Sequence, residues 1–229
     1  MQPQEILIKE VQSEEVQIEA IEITPNLSYS YRLIKRTMDI VGSLFLLTVL
    51  SPLLLLIIIL VKIEDPRASV LFKQLRTGKN GKPFYCYKFR TMIQNADDIK
   101  SDLMKLNEMD GPVFKIKNDP RITKLGKILR RYSLDELVQL INVLTNKMSL
   151  VGPRPLPVKE AAGCNARQKL RELVKPGLVC YWQVSGRNEL SFEQWMELDI
   201  QYIQDMSFWT DCKILVKTFS AVLSKKGAY

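Results

Sequence analysis

The longest apolar segment of the chain is a run of 22 uncharged residues, 40–61. That length matches the roughly 20 apolar residues that a helix needs to cross the hydrocarbon core of a bilayer. Ser51 and Pro52 lie at the middle of the run, and a proline inside a helix removes a hydrogen bond and clashes with the preceding turn. If the helix breaks there, its halves are about 16 and 14 Å long at ~1.5 Å per residue. The run therefore predicts either a kinked spanning helix or a re-entrant hairpin.

Basic residues flank this run on both sides. Arg32, Lys35 and Arg36 precede it, and Lys62, Arg67 and Lys73 follow it. A spanning helix usually has its Lys/Arg excess on the cytoplasmic side alone, so basic residues at both ends favour a hairpin with both ends in the cytoplasm. Neighbouring groups also tolerate proline within a spanning helix. The residues alone leave both topologies open.

The pattern changes after this run to short strand-like and helical segments. Residues 70–74 and 84–89 are rich in strand formers, and the Asn-Gly in residues 78–81 predicts a β-hairpin between them. A helix is expected over residues 95–107. Apolar positions recur with a helical period over residues 134–144, which predicts a second helix.

The last third of the chain predicts helices at 161–174, 192–204 and 208–223 and a strand at 178–184. Ser191 and Ser207 are candidate N-caps of the last two helices. Both helices are amphipathic, and Trp195, Phe208 and Trp209 are positioned to lie in a lipid headgroup layer. Ordinary packing of these side chains in a core is the alternative. The patterns together predict a mostly helical α/β fold.

Charge divides the 229 residues into three parts. Residues 1–30 carry a net charge of −5 within a total of +8, and they predict an acidic, flexible leader. Residues 31–64 form the membrane segment, and residues 65–229 form a cytoplasmic domain with the hairpin and the amphipathic helices. The basic remainder suits anionic partners, which include phospholipids, phosphorylated ligands and nucleic acid. No DNA- or RNA-binding motif is present, so nucleic acid is not expected as a partner.

The available side chains restrict the chemistry. The four cysteines contain no C-x-x-C pair, so neither a disulfide framework nor a zinc site is indicated. The chain has no histidine, which excludes Ser-His-Asp triads and Cys-His pairs. Catalysis must therefore use carboxylates, Lys, Arg, Tyr or a metal ion bound by oxygen atoms.

Three segments are candidates for such chemistry. Residues 133–136 (SLDE) have the spacing of a capping box, which is the ordinary structural interpretation. Arg130 and Arg131 precede them with one residue between, and clustered arginines at a helix N-terminus can instead bind phosphate beside an ionised aspartate. The loops at residues 152–155 (GPRP) and 185–188 (SGRN) each present one arginine between turn-forming residues.

In this order, and after this membrane segment, the motifs resemble one family. Residues 31–229 are similar to a bacterial sugar transferase of the monotopic phosphoglycosyl transferase type, in a minimal form. The matching segments are residues 35–39 (KRTMD), 51–52 (SP), 87–92 (YKFRTM), 119–121 (DPR), 130–137 (RRYSLDEL), 148–155 (MSLVGPRP), 176–177 (PG), 183–188 (QVSGRN), 197–199 (ELD) and 227–229 (GAY).

The resemblance implies an enzyme at the cytoplasmic face of the bacterial inner membrane. Such enzymes transfer a sugar-1-phosphate from a UDP-sugar to polyprenol phosphate, release UMP and begin the synthesis of an exopolysaccharide or other glycoconjugate. Asp135 matches the nucleophile that forms a covalent aspartyl-phosphosugar, and Glu136 is its partner. Both are expected to bind Mg²⁺.

The resemblance also implies the substrate-binding residues, which are Lys88, Arg90, Arg130, Arg154, Arg187 and Asp199. Ser51 and Pro52 match the break that makes the family's helix re-enter, so the resemblance favours the hairpin topology. Membrane lipids are expected partners, and a homodimer is one option for the assembly. A non-catalytic membrane-anchored scaffold that recruits acidic partners is the alternative function.

This chain departs from the family pattern at three places. Lys147 stands where the family often has an acid, and Ser185 replaces the usual asparagine before Gly-Arg-Asn. Residues 180–183 are Cys-Tyr-Trp-Gln instead of Gly-Trp-Ala-Gln. These changes leave Asp135 and Glu136 in place, but they make the donor sugar harder to infer.

Overall fold

The computed structural model describes residues 23, 25, 28–114, 116, 118–186 and 190–224. It begins with helices α1 (Tyr29–Val49) and α2 (Ser51–Glu64), which are bent by 62° where they meet. Pro52 lies in the first turn of α2, where a missing N–H group breaks no helical hydrogen bond. Within the described ranges no single helix is long and apolar enough to cross a membrane, whereas this bent pair meets the test by length and composition. Membrane insertion and re-entry stay predictions.

The predicted acidic leader falls largely outside this description, because residues 1–22 are not described. Ile23 is described, and it is buried in the main hydrophobic cluster of the protein.

Helix α1 is fixed to the rest of the protein by charged side chains at its N-terminal half. Arg36 donates to the backbone carbonyl oxygens of Val143 and Leu144, at 2.8 and 2.9 Å. Asp39 is buried and accepts hydrogen bonds from the Ser149 hydroxyl and the Leu150 N–H, at 2.9 and 2.8 Å. The direction of the apolar helix pair is thus set by specific contacts with the domain that follows it.

The predicted β-hairpin is confirmed. Strands β1 (Leu71–Thr77) and β2 (Pro83–Phe89) pair antiparallel and extend beyond the predicted segments. Asn80 and Gly81 adopt positive φ angles of 55° and 72° in the turn, as expected for an Asn-Gly pair.

The predicted helix over residues 95–107 is wrong. This segment forms successive turns with bonds between residues three apart, and only Met104–Leu106 is a 3₁₀ helix. The Ser101 hydroxyl lies 3.5 Å from the Asp98 carbonyl oxygen. Asn, Asp and Ser side chains compete in this way with the helical backbone bonds, and five of them fall between residues 95 and 102.

The remaining elements are short except for the last two helices. In chain order they are α3 (Lys124–Arg131), a 3₁₀ helix (Leu134–Gln139), α4 (Leu140–Leu144), β3 (Ser149–Val151), α5 (Val158–Ala162), α6 (Ala166–Lys169), a 3₁₀ helix (Leu170–Leu173), β4 (Gly177–Val179), α7 (Tyr181–Val184), α8 (Phe192–Gln204) and α9 (Phe208–Ser224). Strands β3 and β4 pair in parallel. The fold is thus mostly helical, as predicted.

Three expectations in this half of the chain are only partly met. The single helix over residues 161–174 is divided, because Asn165 begins a new helix with a capping box to Gln168. The strand over residues 178–184 ends after Val179, and helix α7 follows it. The 134–144 segment is helical, but its first half is a 3₁₀ helix.

Helices α8 and α9 match the predicted bounds and caps, yet they differ in what they bury. The Ser191 and Ser207 hydroxyls accept N–H bonds from the first turns. Trp195 on α8 is only 5% exposed, so its predicted place in a headgroup layer is wrong and core packing applies. On α9, Trp209 and Phe219 are 78% and 72% exposed. Of these two helices, therefore, only α9 has an outward apolar face.

Two smaller hydrophobic clusters each contribute residues to the site described next. The first, called here the α2 cluster, contains Ile57 and Val61 of α2 with Phe89, Leu129 and Val138. The second, called the aromatic cluster, contains Leu156, Ala161, Cys164, Phe192, Trp195 and Met196, with Met109, Val113 and Trp182 packed against it.

Candidate active site

A cleft of about 370 Å³ contains most of the residues that the sequence singled out. Six of the eight predicted catalytic and substrate-binding residues line it: Lys88, Arg90, Arg130, Asp135, Glu136 and Arg154. Asp199 lies behind the cleft wall, and Arg187 is outside the described residues. One site therefore collects side chains from β2, α3, the 3₁₀ helix that follows it, and the loop after β3.

The local backbone around Ser133 sets the direction of the two carboxylates. Ser133 has a left-handed conformation, with φ of 56° and ψ of 24°, and its side chain makes no cap bond. The capping-box interpretation of residues 133–136 is therefore wrong, because Glu136 is bonded to other groups. Such conformations are uncommon outside glycine, and they concentrate at functional sites.

Glu136 is held by two cations. Its Oε1 accepts from Lys88 Nζ at 2.6 Å, its Oε2 accepts from Arg154 Nη1 at 3.0 Å, and Arg154 Nη2 forms a second contact with Oε1. Burial alone would raise the pKa of Glu136, but the charges of Arg154 and Lys88 hold this pKa well below its usual range. Glu136 is therefore a fixed anion whose oxygen atoms are already occupied.

Asp135 has the opposite character. The Lys88 ammonium, its nearest ionic partner, is 3.9 Å away, and no described group donates a hydrogen bond to its carboxylate. Burial raises the pKa of Asp135, and the neighbouring charge of Glu136 adds to this effect while Lys88 and Arg130 oppose it. Of two adjacent acids, then, one is locked in place and the other is free to react at the cleft surface.

Arg130 and Arg90 are each held by a hydrogen bond from Nε, which leaves their terminal guanidinium nitrogens available to a ligand. Arg130 donates from Nε to the Thr91 hydroxyl at 2.9 Å, and Arg90 donates from Nε to the Ser69 carbonyl at 2.7 Å. Within the described ranges, the terminal nitrogens of these two guanidinium groups have no hydrogen-bond partner. Such groups can bind phosphate oxygens as a fork.

Arg171 is a residue that the sequence reasoning missed. It is 5% exposed, donates from Nη2 to the backbone carbonyl of Arg154, and lies 2.5 Å from Asp199 Oδ2. Burial raises the pKa of Asp199 to about 6. Asp199 thus reaches the site indirectly, through Arg171 and the backbone of Arg154. No local pattern marks Arg171, because its partners are distant in sequence.

The donor set allows a limited role for a metal ion. No group of three or more His, Cys, Asp or Glu side chains is arranged to hold one within the described parts of the chain. Mg²⁺ in phosphoryl-transfer sites is usually held by one or two carboxylates together with substrate phosphates. Asp135 fits this requirement, whereas Glu136 would first have to release Lys88 or Arg154.

Comparison with known sequences decides the family. A model of the family described as "Bacterial sugar transferase" matches residues 30–225. The chain belongs to this family. The matched range includes the bent helix pair as well as the cleft, so the family prediction made from the motifs is confirmed.

Three curated relatives illustrate the range of this sugar transferase family. The chain is 42% identical over 209 residues to the "UDP-glucose:undecaprenyl-phosphate glucose-1-phosphate transferase" of Escherichia coli, covering 86% of this chain and 42% of the relative. It is 40% identical over 207 residues to the "Undecaprenyl-phosphate galactose phosphotransferase" of Salmonella typhimurium, covering 87% and 42%. It is 39% identical over 199 residues to the "Exopolysaccharide production protein ExoY" of Rhizobium meliloti, covering 85% and 88%. The chain thus spans less than half the length of the first two relatives.

Proposed function

We propose that this sugar transferase moves a sugar-1-phosphate from a UDP-sugar to polyprenol phosphate and releases UMP, as a step that initiates exopolysaccharide synthesis. The observation that carries the proposal is the difference between the two cleft carboxylates. No described group donates a hydrogen bond to the Asp135 carboxylate, which lies among the charges of Lys88, Arg130 and Arg154, whereas Glu136 binds two of these cations. The names of the Escherichia coli and Salmonella typhimurium relatives support undecaprenyl phosphate as the acceptor.

In the first step, a carboxylate oxygen of Asp135 attacks the phosphorus atom that bears the sugar. The bond from this phosphorus to the bridging oxygen breaks, and UMP leaves with the electron pair. Phosphoryl transfer requires mainly positioning and charge neutralisation. Lys88, Arg130 and Arg154 supply that charge, and Glu136 keeps two of them in position.

In the second step, a phosphate oxygen of polyprenol phosphate attacks the same phosphorus atom. The bond to Asp135 breaks, the carboxylate is restored, and a polyprenyl-diphosphate sugar leaves. The soluble donor and the lipid acceptor then use one site in turn, and ping-pong kinetics is the expected signature.

Mg²⁺ belongs to this proposal as a cofactor. Asp135 would hold it together with the donor diphosphate, and Glu136 would do so only after losing a cation contact. When bound, the ion would neutralise charge on the diphosphate oxygens. Removal of divalent cations with a chelator should abolish UMP release, and added Mg²⁺ should restore it.

We further propose that α1 and α2 enter the cytoplasmic face of the bacterial inner membrane and return to it. Apolar side chains on both helices are exposed, among them Phe45 at 63% and Leu55 at 58%, and the outward face of α9 adds Trp209 and Phe219. Tags before residue 30 and after Tyr229 should both be protected in intact cells. Exposure of the leading tag outside the cell would exclude the re-entrant arrangement.

The substitution Asp135→Asn tests the reaction. It keeps the shape of the side chain but removes the nucleophile, so UMP release and acid-precipitable label from a ³²P-labelled UDP-sugar should both disappear. Asp98→Asn, at an exposed turn residue that does not line the cleft, is the matched control and should keep both signals. Full activity of Asp135→Asn would refute the proposal and favour a scaffold.

A further inference from the structure

Trp182 and Trp195 form a flat aromatic wall on the cleft. Their ring centroids are 4.8 Å apart with an interplanar angle of 25°, and both residues line the cleft. Phe192 packs edge-on against Trp195, with centroids 6.1 Å apart at 79°. The aromatic cluster therefore supports the wall from behind, and the wall keeps one orientation. None of the steps described above uses it.

This wall begins directly beside the reacting carboxylates. The Arg154 guanidinium carbon lies 5.8 Å from the centroid of the Trp182 ring, and the same guanidinium group binds Glu136. The Arg154 guanidinium group therefore lies between a phosphate bound at Asp135 and the indole of Trp182. Whatever ring is attached to that phosphate falls within reach of the wall.

The two sides of the cleft belong to different parts of the fold. Leu134 and Val138 flank the carboxylates on the same 3₁₀ helix, and both pack in the α2 cluster with the apolar helix α2. Trp182 and Trp195 pack in the aromatic cluster, which contains no residue of α2. The exposed apolar side chains of α2 suit the polyprenyl chain of the proposed acceptor, so within the proposal the wall is assigned to the soluble donor.

We propose that Trp182, together with Glu160, binds the pyranose ring of the donor sugar. This inference rests on the proposed function, in which the attacked phosphorus bears the sugar directly, while uracil is separated from it by a ribose and a second phosphate. The C–H face of a pyranose carries a slight positive charge that suits the negative face of an indole. A few polar groups placed beside such an apolar surface normally provide specificity.

Glu160 supplies the polar group. It lines the same cleft, and its neighbour Ala161 packs in the aromatic cluster. The Phe114 N–H bonds its carboxylate, and the remaining lone pairs of the two oxygens are acceptors for sugar hydroxyls.

A binding experiment without turnover tests the assignment. The chain has three tryptophans, so in Asp135→Asn/Trp209→Phe protein the emission comes from Trp182 and Trp195 alone. UDP-galactose, UDP-glucose, UDP and UMP are titrated, and binding is followed independently by displacement of radiolabelled UMP. At least one UDP-hexose should quench the emission several-fold more than UDP or UMP at saturation. Equal quenching by UMP would assign the wall to uracil, and binding of both UDP-hexoses without extra quenching would likewise overturn the proposal.

Kinetics of single substitutions provides the second arm. Trp182→Ala should raise KM for the preferred UDP-hexose roughly tenfold or more and leave the inhibition constant of UMP within about twofold. Trp182→Phe should recover much of this loss, and Glu160→Gln should change the ratio of kcat/KM for galactose and glucose donors. Equal increases in both constants for Trp182→Ala would overturn the proposal.

The two proposals fail in different ways. If the unsubstituted protein releases no UMP from any UDP-sugar, yet a UDP-hexose quenches the wall emission specifically, the proposed reaction is wrong and the sugar site stands. If UMP is released but only UMP or UDP affects the emission, the reaction stands and the sugar site is wrong.

Discussion

Asp211 and Glu136 are both buried carboxylates that bind a lysine. Every polar side chain around Asp211 is hydrogen-bonded, whereas Glu136 has an acid beside it that accepts no hydrogen bond from the described residues. Asp211 accepts from Lys35 Nζ at 2.8 Å, from the Tyr31 hydroxyl at 3.0 Å and from the Tyr202 hydroxyl at 2.8 Å, with no exposed surface. Every member of that cluster is bonded within it, and it joins α1 to α8 and α9.

Both oxygens of Glu136 accept hydrogen bonds from cations. No described group donates a hydrogen bond to Asp135, whose nearest ionic partner, Lys88 Nζ, is 3.9 Å away, and both acids line the cleft. A complete polar cluster away from a cavity stabilises the fold and fixes where the apolar helices point. An incomplete cluster at a cavity, with more cations than anions and an acid without a hydrogen-bond donor among the described residues, can bind an anionic ligand. A buried charged side chain is therefore a weaker indication of function than an acid that lines a cavity and accepts no hydrogen bond from the described residues.

The largest expected effect is on stability at the complete cluster. Asp211→Asn leaves the Lys35 ammonium buried without its anion, and breaking a buried pair from one side costs about 3–5 kcal/mol. The midpoint of thermal unfolding in detergent should fall accordingly. Asp205→Asn, at the exposed acid directly after the last residue of α8, is the control and should change the free energy of unfolding by about 0.5 kcal/mol or less. Equal stability of both variants would contradict this account of Asp211.

At the incomplete cluster, the main effect should be on rate instead. Glu136→Gln releases Lys88 and Arg154 from their shared anion, so kcat should fall by roughly 10²–10³, as when one group that stabilises a transition state is lost. The charge of Glu136 raises the pKa of Asp135, so its loss should also move the acid limb of the pH–rate profile to lower pH. Glu193→Gln, exposed on α8, is the matched control.

A Glu136→Gln enzyme with an unchanged rate and an unchanged acid limb would remove the distinction between the two clusters. A large loss of stability without a change in the pH profile would make Glu136 a structural residue like Asp211.

The sequence predicted those features that depend on local chemistry. The break at Ser51 and Pro52, the Asn-Gly turn of the hairpin, and the serine caps of α8 and α9 each follow from a few neighbouring residues. The two carboxylates and most of the cleft arginines came from the motifs of the family rather than from periodicity. Helix 95–107 failed because its Asn, Asp and Ser side chains favour turns.

Long-range pairings were not predictable from such patterns. Nothing near Ser133 signals its left-handed backbone, which turns an expected capping box into a support for two cleft carboxylates. Arg171 is missing from the predicted site because its role depends on Arg154 and Asp199, which only the folded chain brings together. The Trp182–Trp195 stack likewise joins residues that no helical or strand period relates.

The smallest expected effect concerns Asp199, which lies between the two kinds of cluster. It has a cation partner in Arg171, but burial raises its pKa to about 6, compared with ~3.9 in an unfolded chain. Between these values the folded protein keeps a proton that the unfolded chain has released, so folding loses free energy as the pH rises. The full loss from about pH 4 to pH 7 is roughly 3 kcal/mol at most.

Asp199→Asn removes this titration, so unfolding of the variant in detergent should depend less on pH over that interval than unfolding of the unsubstituted protein. The comparison uses the slope of stability against pH, because the substitution also leaves Arg171 unpaired and changes stability at every pH. Asp102→Asn, exposed in a turn, should keep the original slope. Parallel curves of stability against pH for Asp199→Asn and the unsubstituted protein would contradict this prediction. They would mean that Asp199 is already ionised in the folded protein at low pH, as an acid fully paired with its cation would be.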